Sequence, residues 1–185
     1  MPPAGEIVYS LLWRLPALIL VLLLLEKKPS LRPKTGVLTL AVTLPALCIA
    51  GFLVSALSAL TGFFPPQAVP APAGAAGWAA AVLLSLCTGC LEEAYFRAYL
   101  PERIRLAMHG ARAMKQSAER NAFLISALVF ALCHAYEGPW GFLNALLAAL
   151  VLSVAYSKSE SLPGIALAHG LYNILVYLST MIGKA

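Results

Sequence analysis

Charge is what this chain has least of. Lys and Arg number 13 and Asp and Glu 8, together 11% of 185 residues, whereas 61% are hydrophobic. A soluble domain carries roughly 25% charged residues. A globule this apolar has too little polar surface to cover itself in water, so lipid is its natural solvent. The formal charge of +5 does not point to nucleic acid, because the basic residues sit in short segments between apolar runs. Cysteine is sparse too. Cys48, Cys87, Cys90 and Cys133 all lie within apolar runs, where a thiol packs as a small hydrophobe, and this argues against a disulfide-stapled secreted fold. Met1 to Glu6 contain no basic residue, so the first apolar run is expected to be a retained helix and not a cleaved leader. No internal repeat is visible.

What is present is a series of apolar runs. A spanning helix needs about 20 mostly apolar residues, and six runs approach this: Ile7–Leu25, Gly36–Phe64, Trp78–Leu100, Asn121–Tyr136, Gly141–Ser157 and Gly164–Ile182. The expected fold is all-α, a polytopic transmembrane bundle of about six helices forming a single membrane-embedded domain over 1–185. The fourth and fifth runs are short, and Glu137-Gly-Pro-Trp-Gly141 between them reads as the tight turn of a helical hairpin. Lys27, Lys28, Arg32 and Lys34 fill the first connection; Arg103, Arg105, Arg112, Lys115 and Arg120 fill the third; Lys158 marks the fifth. Positive charge gathers on the cytoplasmic side, so both termini are expected outside and Arg103–Arg120 inside. Pro65 to Gly77, uncharged and rich in Pro, Ala and Gly, reads as an extended linker. Arg103 to Arg120 spaces Ile104, Met108, Ala111, Met114 and Ala118 as on an amphipathic helix at the inner leaflet, or forms a solvated basic loop.

Three runs carry residues that a lipid-facing helix does not tolerate. Cys87-Thr-Gly-Cys-Leu-Glu-Glu-Ala-Tyr-Phe-Arg97 places two carboxylates and a guanidinium within one span, and each central charge costs roughly 2.5–3.5 kcal/mol to insert. Glu93 and Arg97, four apart, share a helix face and can pair. Glu92 points about 100° away. Glu92 is therefore the candidate reactive group and Glu93–Arg97 its support, against the plainer reading of a salt bridge that only packs helices. His134 lies in the fourth run; His169 and Asn173, also four apart, share a face in the sixth. A lone membrane histidine is often an ordinary interhelical hydrogen bond, but three helices with polar chemistry in one apolar chain are expected to converge. Cys87-x-x-Cys90 has the spacing of a metal or redox motif, yet its small neighbours favour close helix packing. Arg14 is expected to snorkel or pair locally. Tyr95, Tyr136 and Tyr172 either line the site or serve as interior aromatics.

Upright helices with these ends leave a conflict of depth. At 1.5 Å per residue, Glu92, His134 and His169 stand about 12, 20 and 8 Å from the inner boundary. Either the third helix continues past Pro101, or the fourth and sixth tilt or begin elsewhere.

Together, Glu92-Glu93-x-x-x-Arg97, Phe130-x-x-x-His134 and His169-x-x-x-Asn173 resemble the three-motif signature of the CAAX protease and bacteriocin-processing family, also called ABI or CPBP. The resemblance covers Leu84 to Leu175, the expected catalytic core, and no motif position departs from it. It implies a glutamate-dependent intramembrane endopeptidase, expected in a prokaryotic plasma membrane; the charge asymmetry and residue depths add the expectation of a cavity open toward the cytoplasmic side. Its substrate would be a membrane-anchored or lipid-modified protein or peptide among membrane lipids. By the same resemblance, Glu92 with His134 activates water, His169 and Asn173 stabilise the oxyanion, and Glu93 with Arg97 holds the site. No cofactor is expected. The alternative is zinc on Glu92, His134 and His169, a His2Glu set with an open water position, weakened by the absence of H-E-x-x-H. A proton-coupled transporter using Glu92 and His134 as a relay and a non-catalytic membrane scaffold are the readings from other classes.

Overall fold

The computed structural model describes residues 4–26, 33–63, 72–108 and 115–182. Among them there is no strand, and the chain forms six helical rods. Helix α1 is Ala4–Leu24, α2 is Pro33–Thr61 and α3 is Gly74–Glu93. A π-helical turn, Ala94–Tyr99, joins α3 without a break to α4, Leu100–Ala107. Helices α5, Lys115–Cys133, and α6, Gly138–Ser159, form a hairpin, and α7, Leu162–Ile182, completes the bundle. Four rods are long and apolar enough to cross a bilayer: Lys34–Thr61, Gly74–Ala107, Ala135–Ser159 and Leu162–Ser179. The protein is therefore an integral membrane protein. In α1 only Tyr9–Leu24 qualifies as an apolar stretch, and α5 opens on Lys115, Glu119 and Arg120 before turning apolar.

Several boundaries differ from the sequence reading. The third run does not stop at Leu100, because its rod continues through Pro101 to Ala107. The hairpin turn is earlier than Glu137–Gly141: His134 leaves α5, Ala135–Glu137 make one 3-10 turn, and Gly138 reverses the chain at φ +85°. Pro139 occupies the first turn of α6, where its missing N–H costs nothing. The expected Pro65–Gly77 linker is already helical from Gly74, and 64–71 lie outside the described residues. Within Arg103–Arg120 the described parts belong to α4 and α5; 109–114, with Ala111 and Met114, lie outside.

Helix α3 packs on α1 and α7, α7 on α2, α2 on α6 and α6 on α5, while the π turn and α4 reach across to α5. Helix α3 itself comes close to neither α5 nor α6. Leu47, Leu152, Ile165 and Ala168 form the apolar centre with Ala94. A second cluster of Ala127, Phe130, Ala131, Ala145 and Ala149 seals α5 to α6. Outward faces stay apolar: Leu38 at 66%, Phe52 at 71% and Leu60 at 85% exposure are positions for lipid contact.

The rod's continuation past Pro101 to Ala107 is the first of the two ways out of the depth conflict, since it carries Glu92 farther from the end of its rod.

Candidate active site

The site begins with a seam of small residues. Ser85, Gly89 and Glu93 are the buried residues of α3, spaced at one turn so that they share a face. Across from them stand Ala166, His169 and Gly170 of α7. A Cβ added to Gly89 would lie 2.7 Å from the Ala166 carbonyl oxygen and 2.9 Å from the Gly170 amide nitrogen. The two backbones touch there, as small-xxx-small contacts allow. One turn beyond Gly89, this contact brings the Glu93 carboxylate onto α7, where His169 Nδ1 lies 2.8 Å from Glu93 Oε1.

A carboxylate only accepts, so His169 donates its Nδ1–H to Glu93, and its Nε2 faces the other glutamate. Glu92 Oε2 is 3.7 Å from that Nε2, a separation that suits a bridging water better than a direct bond. The side chain of Glu93 is 0% exposed and that of Glu92 24%. The two adjacent glutamates thus differ as their helix phase requires: one is sealed in the seam and one is open.

Arg97 closes the buried side. Its Nε approaches Glu93 Oε2 at 3.1 Å, with both side chains fully buried. The N–H is not aligned for a hydrogen bond, and the guanidinium nitrogens have no acceptor among the described residues. The contact is an ion pair supplemented by the Phe130 ring, 4.7 Å from the guanidinium carbon, within cation–π range. Phe130 is the hub joining the motifs. Its ring is edge-on to Phe96 at 5.1 Å, tilted against His134 at 4.5 Å and edge-on to His169 at 6.0 Å. His134 donates Nδ1–H to the Phe130 carbonyl at 2.9 Å, which leaves its Nε2 as the acceptor of the neutral ring. Asn173 is half-buried on α7, one turn beyond His169.

The structure thus gathers Glu92, Glu93, Arg97 and His169 by direct contact and joins His134 to them through Phe130. Arg14 pairs locally, with Nη1 3.3 Å from the Ser10 carbonyl oxygen and the guanidinium 4.5 Å over Trp13. Tyr95 belongs to the apolar centre. Tyr136 is 75% exposed and stacks 6.4 Å from His134. Tyr172 donates to Asn144 Oδ1 at 3.2 Å, and Gly51 of α2 makes room for its hydroxyl, since a Cβ there would lie 2.3 Å from that oxygen. All four cysteines are free thiols.

The Glu93–His169 bond is the support a metal-ligating histidine commonly has. Among the described residues, however, no three His, Cys, Asp or Glu side chains are grouped to hold an ion.

Sequence reading missed the π turn and the residues that shape it. The Leu100 amide donates to the Tyr95 carbonyl, five residues back, and the Ser126 hydroxyl of α5 donates to the Phe96 carbonyl. The available signal was Pro101, four residues after Arg97 and just past the end of the expected third run.

Residues 74–175, from the first residue of α3 to beyond Asn173, match the family described as Type II CAAX prenyl endopeptidase Rce1-like. The match spans more than half of the chain, and the protein belongs to this family: it is a protease of the CAAX type. No curated protein and no solved structure matches the chain.

Proposed function

We propose that this protease hydrolyses a peptide bond in a membrane-associated protein, one with a lipid-modified C-terminal tail, by direct attack of a water held at Glu92. The observation that carries this reading is the contrast between the open Glu92 and the sealed Glu93 on either side of His169. The 3.7 Å gap between Glu92 Oε2 and His169 Nε2 suits a water bridging the two. Glu92 takes a proton from that water as its oxygen adds to the scissile carbonyl. In this reading His134 Nε2 shares the water, Asn173 donates to the carbonyl oxygen, and His169 does so through an Nε2–H once its ring is doubly protonated between Glu93 and Glu92. The C–N bond then breaks, and the proton held by Glu92 passes to the leaving amine. Glu93 and Arg97 orient His169 and do not touch substrate. No Ser or Cys stands in this network, which supports one-step hydrolysis without an acyl-enzyme. No step passes through a metal.

The test uses purified protein in liposomes with two fluorogenic reporters. One carries a farnesylated cysteine followed by a three-residue tail; the other is its unmodified counterpart. Cleavage of the farnesylated reporter, lost in Glu92→Gln, is the expected result. Folded protein that cleaves neither reporter but moves protons across the bilayer returns the transporter reading. Cleavage that vanishes with a chelator and returns with zinc returns the metalloprotease.

A further inference from the structure

We propose that Ser126 is a positioning residue of the active site, acting through the π turn, and that Pro101 creates the need for it. This rests on the proteolytic reading above.

In an α-helix the Phe96 carbonyl would accept from the amide of residue 100. Here the Leu100 amide is given to Tyr95 instead. In the wider π register the Phe96 carbonyl would accept from residue 101, and residue 101 is proline, which has no N–H. The Phe96 carbonyl therefore lacks its backbone donor in both registers. Pro101 also accounts for the widening itself. A proline ring inside an α-helix collides with the carbonyl four residues back, here that of Arg97, and a π turn moves that carbonyl away. The rod continues to Ala107 without a break, with Phe96 requiring a donor from outside.

Ser126 supplies it. Its side chain is buried at 1% exposure and its hydroxyl donates to the Phe96 carbonyl. A serine in a membrane helix ordinarily bonds back to its own helix; this one reaches across. Ser126, Phe130 and His134 follow at intervals of four on one face of the chain leaving α5. The bond therefore fixes the register of that face against the π turn. It sets Phe130 over Arg97 and beside His134, and so places the histidine of one motif relative to the glutamates of another.

Four variants test the proposal: Ser126→Ala, Ser126→Thr, Pro101→Ala and the Ser126→Ala/Pro101→Ala double. Ser126→Ala is expected to lower kcat about tenfold with KM within about twofold, the pattern of a misplaced catalytic group and not of lost binding. Thr keeps the hydroxyl and keeps the rate. Pro101→Ala restores an amide at position 101, so the double variant recovers most of the kcat lost by Ser126→Ala. A merely structural serine would show a loss that tracks thermal stability and is not relieved at position 101. Amide hydrogen exchange over 94–100, read by mass spectrometry, tests the lock without any cleavage assay. Faster exchange in Ser126→Ala, slowed again in the double variant, is expected. Wild-type kcat in Ser126→Ala, no recovery in the double variant, or unchanged exchange overturns the proposal. Failure of the wild-type protein to cleave any reporter overturns the proteolytic reading, while the exchange result still decides the lock.

Discussion

The two flanks of α3 are built on opposite principles. Toward α7 its backbone is in contact, with Gly89 against Ala166 and Gly170 and no room for a single methyl. Toward α5 and α6 it makes no close approach, and only the π turn and α4 cross over. Glu93 lies on the tight flank and is sealed; Glu92, one residue earlier, is open. The tight flank fixes His169 against Glu93, and on the other no backbone of α5 or α6 comes near α3. Adjacent residues on a helix diverge by about 100°, so one turn of helix serves both flanks.

The largest effect should come from the open side. Glu92→Gln removes the acceptor for the water's proton, and a positioned general base contributes typically 10²–10⁴-fold. Cleavage should fall by about that factor while thermal stability in detergent stays near wild type, because a half-open carboxylate is replaced by an amide of the same shape. A variant that retains full rate, or one that loses activity only by unfolding, would move the reactive role elsewhere.

On the tight side the expected loss is of structure as well as rate. Glu93→Gln leaves Arg97 buried, with the Phe130 ring its remaining partner, and breaking a buried pair costs roughly 3–5 kcal/mol. Arg97→Ala should resemble it in stability. Replacing both with uncharged residues should recover much of the fold, since no unpaired charge remains, yet not the rate, since His169 has lost the acceptor at its Nδ1. If Glu93→Gln proves stable and dead while Glu92→Gln is unstable or active, the two flanks have been assigned the wrong way round.

Much of this was legible from residue types and spacing. Intervals of four in Glu93–Arg97 and His169–Asn173 foretold shared faces, and the one-residue step from Glu93 to Glu92 foretold their separation. The polar residues of three helices had to converge because lipid rejects them. The third run was ended before Pro101 because a proline usually ends a helix, although the depth conflict already allowed for continuation; here the turn before it widens to the π register and α4 runs on through it. The carbonyl left over is answered by Ser126, thirty residues away, a pairing no local pattern announces. The hairpin turn was placed late because Pro139 and Gly141 look like turn residues, whereas both suit the first turn of α6: Pro for its absent N–H, Gly because a Cβ there would lie 2.3 Å from Glu137 Cβ.

A smaller effect should sharpen the contrast between the flanks. Gly89→Ala adds one methyl where backbone stands 2.7 Å away, and overpacking of this kind costs typically 1–3 kcal/mol. The seam should open slightly, lowering stability and lengthening the Glu93–His169 bond, with a partial loss of rate. Leu83→Ala, on the same helix but 50% exposed, should leave the rate unchanged. Equal losses from both would mean that the seam has no special role.

The smallest effect is expected from the cysteines, and it decides whether the C-x-x-C spacing means anything chemical. Cys87 and Cys90 flank Gly89, and both are half-buried free thiols. Neither takes part in any hydrogen bond or ion pair of the Glu92–His169 network. Cys48 lies in α2, and Cys133 is exposed at the end of α5. A thiol exchanged for Ala or Ser in such places loses a little packing and no chemistry. Replacing all four should therefore keep cleavage within a few-fold of wild type, with a modest fall in detergent stability traceable to positions 87 and 90 beside the seam. The same variant is the natural background for single-cysteine labelling, in which intact cells should leave positions within Arg103–Arg120 unmodified from outside, as the basic side requires. A well-folded cysteine-free protein without activity would show that a thiol acts at the site, and the water held at Glu92 would no longer suffice.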